Sequence, residues 1–321
     1  MAAISYPPSF GKFHEALRTA QRILLVAHKK PDGDTTGASS SVLNYLLREG
    51  KDVNIFCADP IPSTFQYIDN VHRYTTNPAV FDETYDLVIV FDSGDLRYCG
   101  VHEHILRLPK GYVLMNVDHH PTNTRYGDIN VVLPEASSTA EILFQLFEAG
   151  SIQIDHQMAT SLLTGLLTDT SNFSNAATTT TSMEAAGKLL GAGARYTEIL
   201  KHVWQNKSVD SLKIWGTLLS RLSYNKRYDV TTTYMLASDV SESSADIVDG
   251  MSNFLQGVVG NIDAILVLRE LPGNFVKGSF RSINRDVSAV AKLLGGGGHK
   301  KAAGFTVKGH IEVTANGPRI V

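Results

Sequence analysis

The sequence predicts an α/β protein: a mostly parallel sheet flanked by helices, followed by a second, smaller α+β domain. Three observations carry that expectation. Over the first 150 residues, short continuous apolar runs alternate with helix-like stretches. Strands apolar on both faces belong in a parallel sheet covered by helices. From Asp155 to about Leu222 the pattern turns mostly helical, and beyond it strand-like segments return with a glycine-rich loop. At 321 residues the chain is long enough for two domains. The expected division is residues 1–190 for the larger domain, 191–222 for a helical connector and 223–321 for the smaller domain.

The elements follow in order. Strands are expected at Ile23–Ala27, Val53–Cys57, Leu87–Phe91 and Tyr112–Val117, with helices between them such as Gly37 to Glu49. "SSTAEILFQLFEAG" offers a capping box, Ser138 with Glu141, before an apolar helix closed by Gly150. "HQMATSLLTGLLTDT", "SMEAAGKLLGAGA" and "SLKIWGTLLSRL" read as helices; "YDVTTTYML", "DAILVLREL" and "NFVKGSFRS" read as strands. "DVSAVAKLLGGGGHKKAAGFTV" reads as helix, glycine loop and strand, while the closing "KGHIEVTANGPRIV" matches no element. No internal repeat or low-complexity linker stands out.

Composition narrows the function. The chain is 43% hydrophobic and 19% charged, as expected of a globular protein with a sizeable core. Its formal charge of −3 argues against a long nucleic-acid polymer as the main partner. Short anionic substrates stay open, because two bound divalent ions would add 4 and turn −3 into +1. The two cysteines, Cys57 and Cys99, have no paired spacing, which suits a reducing compartment. The N-terminus shows no signal pattern, and no apolar stretch approaches the ~20 residues of a membrane helix. A cytoplasmic protein without a membrane partner is expected.

Ligands of open parallel sheets gather beyond the carboxyl ends of the strands. Three expected strands end there in acids or imidazoles: one runs into His28, Asp32 and Asp34, another into Asp92 and Asp95, another into Asp118, His119 and His120. Each tail alone is explained by a turn or a cap. Three tails pointing the same groups at one edge are not. The helix in "LLTGLLTDTSNF" adds Asp169 at its polar end. The set His28, Asp32, Asp34, Asp92, His119 and Asp169 has two imidazoles, four carboxylates and no thiolate. It suits hard or borderline divalent cations, Mn²⁺ first and Mg²⁺ second, rather than structural zinc. Four carboxylates exceed the needs of one ion but match two ions roughly 3.5–4 Å apart with one bridging aspartate.

"HKKPDGD", "DSGD", "DHH" and "TDT", followed by "GGGGHKKAAGF", occur in the order and spacing of the DHH phosphoesterase superfamily and its associated C-terminal domain, and the sequence resembles that family over nearly its whole length. The likeness is to the stand-alone, two-domain members that act on short oligoribonucleotides or 3′-phosphoadenosine 5′-phosphate. It implies that His28, Asp32 and Asp92 hold one metal and that Asp34, Asp92, His119 and Asp169 hold the other, with Asp92 bridging and a shared water as the nucleophile. It implies further that His120 faces the substrate phosphate, and that Arg281 and His299 grip the substrate. Asp118 would orient its neighbours; Asp95 reads as structural. Asn123 is a polar support or a turn residue. The run Gly295 to Gly298 is a helix stop or a phosphate cradle; the resemblance favours the cradle, with Gly297 and Gly298 beside His299. Lys300 and Lys301 read as solvated charges. Related hydrolases of linear dinucleotides, pyrophosphate or polyphosphate use the same metal motifs, and a non-catalytic nucleotide sensor would have no need of the complete set. Dimers are common in the family, though nothing in the sequence marks an interface.

Overall fold

The computed structural model describes residues 6–206, 208–239, 251–258, 263–314 and 317–321. The chain forms two compact units, Met1–Asn206 and Lys207–Val321.

The first unit is built on a six-stranded sheet: β1 (Arg22–Ala27), β2 (Asp52–Cys57), β3 (Tyr74–Thr75), β4 (Leu87–Phe91), β5 (Val113–Asp118) and β6 (Ile129–Val132). The spatial order is β3-β2-β1-β4-β5-β6, and every pairing is parallel. The strand order reverses beside β1, the kind of switch point that opens a crevice at the carboxyl edge. Along β1 and β4 the side chains alternate between two cores. Ile23, Leu25, Leu87, Ile89 and Phe91 join the larger one, and Leu24, Val26, Val88 and Val90 join the one on the opposite face. Both faces being covered, the strands read as unbroken apolar runs.

The helices of this unit are α1 (Pro8–Thr19), α2 (Gly33–Arg48), α3 (Leu96–Cys99), α4 (His102–Arg107), α5 (Thr139–Ala149), α6 (His156–Asp169), α7 (Thr180–Gly191) and α8 (Tyr196–Val203). Helix α2 starts four residues earlier than its expected first residue, Gly37. Asp32 is its N-cap, accepting the N–H groups of Asp34 and Thr35 at 3.0 Å each. Helices α2 and α6 meet through glycines. A Cβ on Gly37 would lie 2.2 Å from the Ser161 carbonyl oxygen, and one on Gly165 would lie 2.7 Å from Asp34 Oδ1. No helix among the described residues is long and apolar enough to cross a membrane.

The second unit contains α9 (Val209–Ser220), α10 (Met251–Val258), α11 (Val287–Leu293) and a mixed sheet. Its strands are β7 (Ser223–Asn225), β8 (Val230–Met235), β9 (Ala264–Leu271), β10 (Phe275–Ser282), β11 (Gly297–His299) and β12 (Ala302–Lys308), in the order β11-β12-β10-β9-β8-β7. Only β8 and β9 pair in parallel. The closing segment without an expected element forms an antiparallel pair, β13 (Ile311–Thr314) with β14 (Gly317–Ile320).

Candidate metal centre

The carboxyl edge of the first sheet gathers the acids and imidazoles. His28 follows β1, Asp92 follows β4, and His119 and His120 follow Asp118, the last residue of β5. Asp32 and Asp34 come from the start of α2 and Asp169 from the last position of α6. The six proposed ligands lie together. His28 Nε2 stands 3.3 Å from Asp92 Oδ2 and 3.7 Å from Asp32 Oδ1. His119 Nε2 stands 3.2 Å from Asp169 Oδ2, 3.5 Å from Asp92 Oδ1 and 4.0 Å from Asp34 Oδ2. Asp92 therefore turns one oxygen to each imidazole. It does so from a left-handed backbone, φ 54°, a conformation costly outside glycine and concentrated at functional sites.

Both imidazoles are set by their far nitrogens. His28 Nδ1 faces the Lys29 carbonyl oxygen at 2.8 Å, and His119 Nδ1 faces that of Ala136 at 3.3 Å. Carbonyl oxygens accept only, so Nδ1 carries the proton in each ring and Nε2 is the nitrogen turned to the carboxylates. Asp34, fully buried, is gripped by the first N–H groups of α5: Thr139 N at 2.7 Å and Ala140 N at 2.9 Å. The Thr139 hydroxyl donates to Asp92 Oδ1 at 3.1 Å. One residue thus fixes two carboxylates, Asp34 and Asp92. The start of α5 is held by Ser138, whose oxygen accepts the Glu141 N–H. The Glu141 carboxylate turns instead to Ser137, backbone and hydroxyl, so the expected capping box is half formed.

The electrostatics record the crowding. Burial and the charges of Asp92 and Asp32 push the Asp34 carboxyl well above its ordinary range, against the two α5 N–H groups. Desolvation within the cluster and the charges of Asp34, Asp92 and Asp32 do the same to Asp169. Burial opposes charge on His28, yet hydrogen bonds and attraction from Asp32 and Asp92 outweigh it and push its pKa up to about 12. Such a cluster is unfavourable by itself and becomes favourable around cations. The donor set fits divalent ions: two neutral-capable Nε2 atoms and carboxylates in two groups, His28–Asp32–Asp92 and Asp34–His119–Asp169, linked by a third, Asp92–His119–His120.

His120 differs from its neighbour. Its Nδ1 donates to Asp118 Oδ1 at 2.7 Å, and that hydrogen bond raises its pKa. Burial notwithstanding, hydrogen bonds from His120 and Asn123 keep Asp118 below the usual carboxylate range. Asn123 also donates to Asn116 Oδ1 at 2.7 Å, and so ties the loop after β5 to the strand. Asp95 caps α3, accepting the Tyr98 N–H at 2.7 Å. A cavity of about 120 Å³ opens over the cluster, lined by five of the six proposed ligands, His120 and Tyr98. Three participants carried no sequence signal as site residues: Thr139, Gly165 and Tyr98.

The remaining proposed residues belong to the second unit. Arg281 ends the stretch of β10 paired with β12, and its Nη1 donates to the Phe280 carbonyl oxygen at 2.8 Å. Gly297 and Gly298 lie in β11, beside Ala303 and Gly304 of β12. Part of the glycine run is required by packing: a Cβ on Gly296 would lie 2.1 Å from the Gly304 carbonyl oxygen, and one on Gly298 would lie 2.6 Å from that of Ala302. Gly298 also has φ 138°. Gly297 faces open space. The side chain of His299 lies outside the described residues.

Comparison with known proteins adds the lineage. Residues 22–166 match the model of the DHH family N-terminal domain, and residues 232–316 match that of the DHHA1 domain. The "bifunctional oligoribonuclease and PAP phosphatase NrnA" of Thermus thermophilus is 32% identical over 89% of this chain and 84% of its own length. The chain belongs to the DHH family. It is accordingly a metal-dependent hydrolase of the phosphoesterase type. The protein of the same name from Bacillus subtilis is 28% identical, with 89% of each chain covered. The crystal structure of an exopolyphosphatase-related protein from Bacteroides fragilis has the same fold, with a TM-score of 0.84 at 22% identity over 95% of this chain and 92% of that one.

Proposed function

We propose that this DHH hydrolase cleaves phosphate esters of small nucleotides, short oligoribonucleotides and 3′-phosphoadenosine 5′-phosphate among them. The observation that carries this reading is Asp92, whose Oδ2 faces His28 Nε2 at 3.3 Å and whose Oδ1 faces His119 Nε2 at 3.5 Å. A carboxylate so placed can serve two ions, with His28 and Asp32 completing one site and Asp34, His119 and Asp169 completing the other. Two divalent cations, Mn²⁺ first and Mg²⁺ second, would supply Lewis acidity and lower the pKa of the attacking water.

The chain's own groups do the rest. Thr139 and Ala140 hold Asp34, and Thr139 holds Asp92, so the carboxylates are oriented before substrate arrives. The Asp118 carboxylate favours the charged form of His120, which in that form would donate from Nε2 to a phosphoryl oxygen and stabilise the charge that grows there. In the second unit we assign substrate binding to Arg281, with Gly297, Gly298 and His299. A guanidinium suits that task because its fork matches two phosphate oxygens. The relatives named for oligoribonuclease and PAP phosphatase activity support the substrate class, since this chain spans most of their length.

A product-release screen tests the proposal. It compares 3′-phosphoadenosine 5′-phosphate, dinucleotides, longer RNA and pyrophosphate, each with Mn²⁺, with Mg²⁺ and with chelator. Turnover of the bisphosphate or the dinucleotides, abolished by chelator, is expected. Preference for pyrophosphate or for long RNA overturns the substrate class.

A further inference from the structure

We infer that Tyr98 is the stacking platform for the substrate base nearest the scissile phosphate, and so a specificity-determining residue. The inference rests on the nucleotide reading above.

Size sets the problem. Sites that enclose a drug-sized ligand run to about 300–1,000 Å³, whereas the cavity over the carboxylates measures about 120 Å³. It has room for the reacting group, and a ring on its rim is placed to meet the base attached nearest to that group. Tyr98 is the aromatic residue of that lining. Its side chain is 50% exposed, and no hydrogen bond from its hydroxyl is found among the described residues. Its ring centre stands 6.1 Å from that of His28, tilted by 47°, an ordinary spacing for an aromatic pair that sets the ring beside a proposed ligand. A large ring left half in water beside a charged cavity has a free face to offer, and aromatic faces stack on any base.

The ring is also held in place. Asp95 accepts the Tyr98 N–H at 2.7 Å, and the Ser93 hydroxyl donates to the Asp95 carbonyl oxygen at 2.8 Å. The Lys29 ammonium lies 6.0 Å from the ring centre. Lys29 itself is tied to the same short helix, since its N–H donates to the Cys99 carbonyl oxygen at 3.0 Å. An ammonium beside an aromatic face is a suitable seat for an anionic nucleotide. Asp95, read from the sequence as structural, thereby acquires a use: it positions the platform.

The test uses the full chain loaded with Mn²⁺ and two substrates, a diadenosine dinucleotide and its analogue in which the sugar next to the scissile phosphate carries no base. Tyr98→Ala should lower kcat/KM on the dinucleotide by roughly tenfold to a hundredfold and leave the abasic analogue nearly unchanged. Tyr98→Phe keeps the ring and should behave as wild type on both. Metal content after dialysis should match wild type in both variants. Equal loss on both substrates, or loss of metal, returns Tyr98 to a structural role. A Tyr98→Phe defect as deep as that of Tyr98→Ala assigns the effect to the hydroxyl and overturns stacking. Wild-type protein that hydrolyses no nucleotide overturns the nucleotide reading, and this inference with it; wild-type turnover with an unaffected Tyr98→Ala overturns the inference alone.

Discussion

Replacing Gly165 with alanine sets helix propensity against the packing of the site floor. Gly165 is an interior residue of α6. By propensity alone the change should stabilise the helix by about 0.8–1.0 kcal/mol. The new Cβ, however, would stand 2.7 Å from Asp34 Oδ1 and 2.7 Å from the Ala140 Cβ. Over-packing of this kind costs about 1–3 kcal/mol. Asp34 cannot turn aside cheaply, because its oxygens accept Thr139 N at 2.7 Å and Ala140 N at 2.9 Å. Losing one of these hydrogen bonds would cost roughly a further 0.5–1.5 kcal/mol. The contact therefore wins, and Gly165→Ala should lose about 0.5–4 kcal/mol net, at roughly 2–4 °C in Tm per kcal/mol for a unit of this size. It should also weaken Mn²⁺ binding, since Asp34 is displaced. Gly187 in α7 is the control: a Cβ there meets nothing within 4 Å, so Gly187→Ala should be neutral or stabilising by up to about 1 kcal/mol. Thermal unfolding of the metal-free proteins and calorimetric Mn²⁺ titration measure both effects. Gly165→Ala with the stability of Gly187→Ala and wild-type Mn²⁺ affinity would refute the reasoning.

Asp92→Asn keeps the shape but removes the charge shared between His28 and His119, so activity should fall by orders of magnitude with the fold intact by circular dichroism; near-normal turnover with Mn²⁺ would rule out a bridging role. His119→Ala should lower metal content after dialysis, whereas His120→Ala should keep the metal and lose kcat; equal metal loss in both would end that division. The metal-free protein should lose stability between pH 5 and pH 8. Asp34, Asp169 and His28 have folded pKa values above their ordinary ones, so the folded state binds more protons than the unfolded one in this window and stability declines as pH rises. Asp32 and Asp118, shifted down, are ionised in both states there and do not reverse the sign. His28 alone supplies up to about 2 kcal/mol between pH 6.5 and 8 at 1.36 kcal/mol per unit. Urea unfolding across that range, with and without saturating Mn²⁺, checks it: the decline should shrink with metal, because the ions replace the protons.

The parallel sheet was legible because its central strands are buried on both faces and show no alternation. Strand β6 was not: only Val131 and Val132 of its four residues are buried, and the run is too short for a pattern. The start of α2 was misplaced for an instructive reason. "HKKPDGD" combines a proline, a glycine and two acids and reads as a polar tail, yet Asp32 in it is an N-cap as well as a proposed ligand. The cap signal was present and the chemistry obscured it. The six proposed ligands were accessible because carboxylates and imidazoles at strand ends have few other reasons to converge. What orients them was not accessible, because it is backbone and absence: two N–H groups of α5 on an aspartate 105 and 106 residues earlier, a glycine whose missing Cβ makes room for that aspartate, and a left-handed residue at the end of β4. The same distinction divides the glycine run of the second unit. Gly296 and Gly298 are needed so that β11 can approach β12, whereas nothing in the packing asks for glycine at Gly297. If the run had only to end a helix and admit a strand, position 297 could carry a side chain. We propose that position 297 is where the glycine run meets phosphate, a role that the packing neither requires nor blocks.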